Sequence, residues 1–135
     1  MWHTVRNYGL YGLLRLALNW VHTRLRFPQA RIVRRPAYVR GTGRIRLGPG
    51  FTSGPGLRID CFGDDAVLLI GPQVQVNDRV HIGSMLSGVN IGKGAIIGAG
   101  SVVTASLPEY TISFGAPARV IRRFDLASAK WVAAQ

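Results

Sequence analysis

Hydrophobic positions in the middle of the chain recur every six residues, which is neither the spacing of a helix nor that of a simple strand. Nine such hexads fit within residues 47–108, where eight of the nine begin with an aliphatic residue and six of the nine have Gly in second place. The fifth place is nearly always apolar or small. The nine first residues are Leu47, Ser53, Ile59, Ile70, Val76, Ile82, Ile91, Ile97 and Val103.

A period of six is typical of a short strand followed by a tight turn, and three such units make one triangular coil of a parallel β-helix. The first and fifth places then point inward and form an aliphatic column, while Gly, Asn or Asp is expected where the turn needs a positive φ. The pattern predicts three coils, at residues 47–64, 70–87 and 91–108. The surplus residues 65–69 and 88–90 both fall between the third face of one coil and the first face of the next, so we expect both at one corner of the prism. Alternatively, residues 88–90 mark the place of a lost segment.

The N-terminal segment, residues 2–26, has the apolar spacing of an amphipathic helix. Arg15 divides its apolar face into uncharged runs that are too short to span a membrane, and a secretory signal would need an uninterrupted apolar core. Two roles stay open. The helix lies in an anionic membrane interface, or it caps the open end of the prism, whose unpaired strand edge would otherwise invite aggregation.

The remaining segments complete one domain of three parts. Residues 1–46 hold the basic helix and an extended lead-in, residues 47–108 hold the repeat, and residues 109–135 hold an exit turn and a short C-terminal helix. Asp125 stands where it would cap that helix, from Leu126 to about Ala134, and we expect Leu126 and Trp131 to cover the last coil. The expected fold is therefore an all-β solenoid with a helix at each end.

Charge and cysteine content narrow the class of partners. The formal net charge is +11, and residues 1–46 contain ten Arg and no acid, since the first acidic residue is Asp60. Such a field favours anionic partners, which include phospholipid headgroups, acidic polysaccharide and phosphate-bearing cofactors. No zinc-finger spacing, RNA-binding sheet signature or basic zipper accompanies it, so we do not expect nucleic acid. The single cysteine, Cys61, excludes an internal disulfide framework, fits a reducing compartment and is interpreted as a packing residue.

The end of the repeat carries a specific motif, VNIGKGAIIGAGSVVTASLPEYTISFGAPARVIRR at residues 89–123. It resembles the closing signature of the bacterial hexapeptide-repeat acyltransferases, although Ala116 stands where that family usually has Asn. Upstream, YGLYGLLRL (8–16), FPQARIVRRPAYVRG (27–41) and VQVNDRVHIG (74–83) look like the O-acetyltransferases of O-antigen and colanic-acid-type exopolysaccharide synthesis. The resemblance implies a left-handed β-helix, a homotrimer, acetyl-CoA as acyl donor and a saccharide hydroxyl as acceptor.

The resemblance also implies where the chemistry lies, with one departure. Family members continue after the VHIG coil with a protruding loop that supplies the catalytic His, whereas here VHIGSM runs almost directly into the closing coils. Acetyl transfer needs a base near the acceptor hydroxyl, and the repeat contains one His, His81, with Asp78 three residues earlier as a candidate to orient it. His3 and His22, outside the repeat, are interpreted as surface or interfacial residues. By match to the family's motif, the residues expected to bind the cofactor are Gly98, Ala99, Thr104, Gly115, Ala118, Arg119 and Arg122, although turn geometry alone also explains the glycines.

Three interpretations follow from these features. The leading one is a cytoplasmic O-acetyltransferase of surface-polysaccharide assembly, with peripheral attachment to the inner face of the membrane left open. The second is a shortened, non-catalytic scaffold, and the third is a basic adaptor at the membrane surface. We expect no metal site, because one His per chain in the repeat does not supply a ligand set.

Overall fold

The computed structural model describes residues 2–41, 43–84 and 88–134, with side chains from residue 9 onward. One helix, α1 (Trp2–Arg26), precedes a series of mostly short strands. The strands are β1 (Ile32–Val33), β2 (Ala37–Arg40), β3 (Arg44–Leu47), β4 (Thr52–Ser53), β5 (Leu57–Cys61), β6 (Val67–Ile70), β7 (Gln75–Val76), β8 (His81–Ser84), β9 (Val89–Ile91), β10 (Ile96–Ile97), β11 (Val102–Val103), β12 (Thr111–Gly115), β13 (Ala118–Asp125) and β14 (Lys130–Ala133).

The strands stack into three parallel sheets, one on each side of a prism. Face A contains β1, β4, β7, β10 and β12, face B contains β2, β5, β8 and β11, and face C contains β3, β6 and β9. The register follows the predicted repeat, because first-place residues of successive coils pair with one another. On face B, for example, Ile82 pairs with Ile59 on one side and with Val103 on the other. The predicted left-handed parallel β-helix of about three coils is confirmed.

The solenoid begins before the first predicted coil. Strands β1 and β2 and all of β3 except Leu47 occupy residues that the sequence placed in an extended lead-in. They pair in register with the next coil, Val33 with Ser53 and Val39 with Ile59. The repeat is hard to recognise there because Arg34 and Arg40 follow the inward residues, where most later hexads have Gly.

Both insertions lie at one corner of the prism, as predicted. Residues 62–66 connect β5 to β6 and residues 85–88 connect β8 to β9, so both connections run from face B to face C. The surplus residues themselves were placed too late in the chain, since most of them belong to β6 and β9. Residues 85–87, where the family's His-bearing loop would leave the prism, lie outside the described residues.

The interior is a continuous aliphatic column, and the second-place glycines let its coils stack closely. Ile59, Ile82 and Val103 are each at most 1% exposed. A Cβ added at Gly71 would lie 2.8 Å from Lys93 N in the next coil. The second-place glycine is thus required by close approach of neighbouring turns, and the positive φ that we expected there occurs two places later, as at Gly94 (φ 64°).

Helix α1 packs on the prism through its polar stripe. A kink at Gly9 (φ 63°, ψ 174°) divides the helix. Thr23 Oγ1 accepts a hydrogen bond from Val33 N at 2.9 Å, and Asn19 Oδ1 accepts one from Arg35 N at 3.2 Å. Since these bonds satisfy backbone donors beside the edge strand β1, α1 caps that edge, while its apolar side chains face outward. Within the described residues, no helix has the length and apolarity needed to cross a bilayer.

The predicted C-terminal helix is wrong, because residues 118–133 form an antiparallel hairpin, β13 and β14, that extends face A. The Asp125 carboxylate accepts hydrogen bonds from Ala127 N and Ser128 N, which is the pattern of a helix start and also of a tight turn. The chain then reverses at Ala129 (φ 52°) instead of continuing as a helix. Trp131 packs edge-on against Phe124, with 5.2 Å between ring centroids, while Leu126 is 75% exposed and does not cover the last coil.

Candidate active site

The outer surface of face B gathers the polar residues that offer acid–base chemistry. Successive residues of a strand point to opposite sides of a sheet, so Arg58 and Asp60 point outward from β5 while Leu57 and Ile59 enter the core. In-register stacking places His81 of β8 beside Arg58, and Arg40 of β2 beside Asp60. Arg40, Arg58, Asp60 and His81 together are called the Asp60 cluster below.

Asp60 is the centre of this cluster. Its Oδ2 lies 2.9 Å from His81 Nε2 and accepts a hydrogen bond from Arg58 Nε at 2.6 Å, while its Oδ1 accepts one from Arg40 Nε at 3.1 Å. The Asp60 side chain is 8% exposed and the His81 side chain is 38% exposed. A buried carboxylate therefore holds an imidazole that solvent and a substrate can reach.

The charge state of Asp60 follows from its neighbours. Burial by itself raises the pKa of Asp60, but the hydrogen bonds and positive charges of Arg58 and Arg40 outweigh burial and keep the pKa below its ordinary value. Asp60 is therefore an anion at neutral pH.

A glycine leaves space next to the Asp60–His81 pair. Gly83 pairs with Asp60 across the sheet, and a Cβ built on Gly83 would meet no atom of the described residues nearer than Val103 O at 4.0 Å. Because the hydrogen bond to Asp60 uses Nε2, Nδ1 is the nitrogen of His81 that remains available, and it has no hydrogen-bond partner among the described residues. The cluster thus has a positioned imidazole, a fixed anion behind it and open space beside it.

Asp78 does not orient His81, contrary to the sequence prediction. Asp78 is exposed, its carboxylate lies against the backbone of Gly54, and its carbonyl oxygen accepts a hydrogen bond from Gly100 N. The reason is geometric, since residues three apart in this solenoid are separated by a turn, whereas residues one coil apart stand side by side. Asp60 was missed from the sequence because the partner of His81 was expected within the same coil. Two signals would have found Asp60: it precedes His81 by about one coil, and it is an acid at a hexad place that usually holds Gly.

The other two histidines lie on α1. His22 is half-buried, and its Nδ1 is buried without a hydrogen-bond partner among the described residues. The side chain of His3 lies outside the described residues. The interpretation of both as surface or interfacial residues stays a prediction.

The residues expected to bind coenzyme A lie around the exit from the last coil. Gly98 and Ala99 follow β10, Thr104 follows β11, Gly115 and Ala118 flank the turn between β12 and β13, and Arg119 and Arg122 belong to β13.

Several of these residues have structural roles of their own. A Cβ on Gly98 would lie 2.6 Å from the Phe114 ring, and Ala118 is only 6% exposed. Ala99, Thr104, Arg119 and Arg122 are exposed and available to a ligand.

Ser101 joins the exit turn to the Asp60 cluster. Its carbonyl oxygen accepts a hydrogen bond from His81 N at 2.9 Å, and its Oγ accepts one from Gly115 N at 3.2 Å. One buried residue therefore contacts both the predicted base and one of the predicted cofactor residues.

Comparison with known proteins shows similarity over nearly the full chain. A protein of Escherichia coli (strain K12), named "putative lipopolysaccharide biosynthesis O-acetyl transferase WbbJ", is 30% identical over 188 positions, which cover 93% of this chain and 95% of the relative. Since 93% of 135 residues is about 126, about a third of the 188 aligned positions have no counterpart in this chain.

Shorter matches cover part of the repeat region. A protein of Schizosaccharomyces pombe (strain 972) named as an acetyltransferase is 43% identical over 58 residues, 41% of this chain and 28% of the relative. A Staphylococcus aureus (strain COL) protein with the same kind of name is 44% identical over 55 residues, 34% of this chain and 28% of the relative. No family model matches the chain. The crystal structure of a maltose O-acetyltransferase from Clostridium difficile 630 aligns with a TM-score of 0.43 and 22% identity over 84% of this chain and 88% of that one, a likeness too weak to carry an argument.

Proposed function

Because the chain belongs to the hexapeptide-repeat acyltransferase family, we propose that it transfers an acetyl group from acetyl-CoA to a saccharide hydroxyl, with His81 as general base and Asp60 as its positioning residue. The observation that carries this proposal is the 2.9 Å contact between His81 Nε2 and Asp60 Oδ2 on the open surface of face B. A half-exposed imidazole backed by a buried anion is suited to accept a proton from a substrate.

Acetyl transfer needs one group that takes a proton from the acceptor hydroxyl and later returns it to the leaving thiolate. Unprotonated His81 accepts the hydroxyl proton through Nδ1, since Nε2 is held by Asp60, and the acceptor oxygen attacks the thioester carbonyl carbon. The carbon–sulfur bond breaks, and the imidazolium returns the proton to the departing thiolate. The products are the acetylated saccharide and free coenzyme A. Asp60 stays ionised and stabilises the imidazolium between the two transfers.

Coenzyme A is proposed to bind at the exit turn, with Ala99 and Thr104 beside the pantetheine and Arg119 and Arg122 at the phosphates. Both Arg side chains are exposed, and a guanidinium binds phosphate oxygens in a fixed, two-pronged geometry. Gly98, Gly115 and Ala118 would shape the turn around this site. Part of the groove would come from a neighbouring subunit of a homotrimer, which sedimentation of the purified chain tests.

The acceptor is proposed to be a saccharide of surface-polysaccharide synthesis. This rests on the name of the Escherichia coli relative, which describes an O-acetyl transferase of lipopolysaccharide biosynthesis, and on the basic character of this chain. Anionic glycans and phosphate-linked sugars fit that charge.

The test is release of free thiol from acetyl-CoA, with and without a panel of neutral and acidic oligosaccharides. Wild type is expected to release thiol faster when the correct acceptor is present, and His81→Ala is expected to lose about a hundredfold or more of that rate, the usual contribution of a general base. His22→Ala is the matched control and should keep the wild-type rate. An unchanged rate in His81→Ala would exclude His81 as the base.

A shortened scaffold without activity is the second candidate, and the large gap in the alignment with the Escherichia coli relative favours it. The missing positions would then include the loop that supplies the base in that family. Absence of both acetyl transfer and acetyl-CoA hydrolysis in a folded wild-type chain would establish this reading.

Peripheral attachment to an anionic membrane is proposed for α1. The helix directs Leu14, Leu18 and Trp20 to solvent, each at least half exposed, and Arg24 stacks over the Trp20 ring at 5.4 Å. Apolar and aromatic side chains flanked by Arg are typical of interfacial helices. Flotation with anionic vesicles, compared with neutral vesicles and with Leu18→Ser, tests it.

A further inference from the structure

The aliphatic column of the prism opens into a cavity at its N-terminal end. Higher in the column the inward residues are buried, but Val39, Ile45 and Leu47 of the first coil are only half-buried because the described residues place no further coil below them. Residues 26–30, the last residue of α1 and the four that follow it, form the remaining wall. The resulting space, called the basal cavity here, has a volume of about 370 Å³ and is open to solvent.

The lining of the basal cavity is amphiphilic. Six lining residues are apolar, namely Phe27, Pro28, Ala30, Val39, Ile45 and Leu47. Gln29 and two arginines, Arg26 and Arg46, complete the lining. Both arginines are exposed, and neither has a hydrogen-bond or ion-pair partner among the described residues. The cavity therefore combines an apolar interior with two cations that are free to bind an anion.

The positive charge around the basal cavity indicates which kind of ligand it would bind. A second copy of this chain would bring two ends together that each carry ten Arg and no acid within residues 1–46, so repulsion opposes a base-to-base dimer. Water alone gains little from an apolar cavity, since it needs several polar partners. An alkyl chain removes apolar surface from water, and a carboxylate at its end matches a guanidinium.

We propose that the basal cavity binds the single alkyl chain of an anionic amphiphile, a fatty carboxylate, with its head group held by Arg26 and Arg46. This site lies at the opposite end of the prism from the exit turn and does not depend on acetyl transfer. It is also distinct from the outward face of α1, which would contact the surface of a bilayer, whereas the basal cavity would hold a single alkyl chain.

The test is calorimetric binding of dodecanoate below its micellar concentration, with dodecanol as the uncharged chain of equal length. Wild type should bind dodecanoate and bind dodecanol more weakly. Arg46→Gln should lower the affinity for dodecanoate about tenfold, which corresponds to the loss of roughly one charge-assisted hydrogen bond. The affinities for dodecanoate and dodecanol should then differ less than they do in wild type. Arg123→Gln, at an exposed Arg on β13 at the other end of the prism, is the matched control and should leave the affinity for dodecanoate unchanged.

A second variant fills the space. Ile45→Trp should abolish dodecanoate binding while leaving flotation with anionic vesicles intact, whereas Leu18→Ser on α1 should do the reverse. If Ile45→Trp fails to fold, as judged by circular dichroism, the exposed Arg46→Gln carries the test alone. The proposal is overturned if wild type does not bind dodecanoate, if dodecanol binds equally well, or if Arg46→Gln and Arg123→Gln change the affinity for dodecanoate equally.

Discussion

Removing one inward side chain from the middle of the column tests the packing of the solenoid most simply. Ile82 is 0% exposed and lies between Ile59 and Val103, whose strands are fixed to β8 by backbone pairing on both sides. Ile82→Ala deletes three buried carbons, and the lost burial lowers the free energy of unfolding by about 2.5 kcal/mol. Because the neighbouring strands cannot move inward, a cavity remains and destabilises the fold further. We therefore expect the free energy of unfolding to fall by about 4 kcal/mol in total.

Equilibrium unfolding in denaturant measures this loss, with the same Ile-to-Ala change at Ile121 as the matched control. Ile121 lies on β13 and is 48% exposed, so Ile121→Ala should cost less than about 1 kcal/mol. In a thermal scan, Ile82→Ala should lower the midpoint by roughly 10–15 °C. A cost for Ile82→Ala no larger than that for Ile121→Ala would refute the stacked column.

Three further predictions concern pH, the helix contact and the close turns. Asp60 has a lowered pKa in the folded chain, so its contribution to stability is present above its ordinary pKa of 3.8 and is lost as the pH falls through the lower folded value. Denaturant midpoints between pH 6 and pH 3 should therefore fall more steeply in wild type than in Asp60→Asn, and parallel curves would contradict the assignment. Thr23→Val removes the acceptor of the Val33 amide and should cost about 1–3 kcal/mol, with faster hydrogen exchange at Val33 N as the specific readout; unchanged exchange there would show that α1 does not cap the edge. Gly92→Ala places a Cβ against the backbone of the next turn and should destabilise the chain by about 1–3 kcal/mol in thermal unfolding, whereas an unchanged midpoint would show that the turns are not closely stacked.

The repeat could be predicted from the sequence because one physical requirement recurs in every coil. An aliphatic residue must enter the column at each first place, so Ile59, Ile82 and Val103 reveal both the strand positions and their register. The first coil was missed because Arg34 and Arg40 replace the small turn residues while Val33 and Val39 still point inward.

The ends of the chain and the Asp60 cluster depend on contacts between segments that are distant in the sequence. The hydrogen bonds that Asp125 makes to Ala127 and Ser128 fit a helix cap as well as a turn, and the pairing of β13 with β12 decides between them. Proximity in the sequence favours Asp78 as the partner of His81, but the stacking of neighbouring coils places Asp60 beside His81 instead. Pairing between coils, rather than proximity along the chain, determines which polar residues meet.

The central claim is that Asp60, and not Asp78, positions a working base. It is tested most directly by acetyl transfer from acetyl-CoA in wild type, Asp60→Asn and Asp78→Asn, with kcat and KM measured separately. We predict that Asp60→Asn lowers kcat by at least about tenfold with the KM for acetyl-CoA unchanged, because the imidazolium loses its anion. Asp78→Asn should match wild type. Full activity in Asp60→Asn, or an equal loss in both variants, would contradict the account.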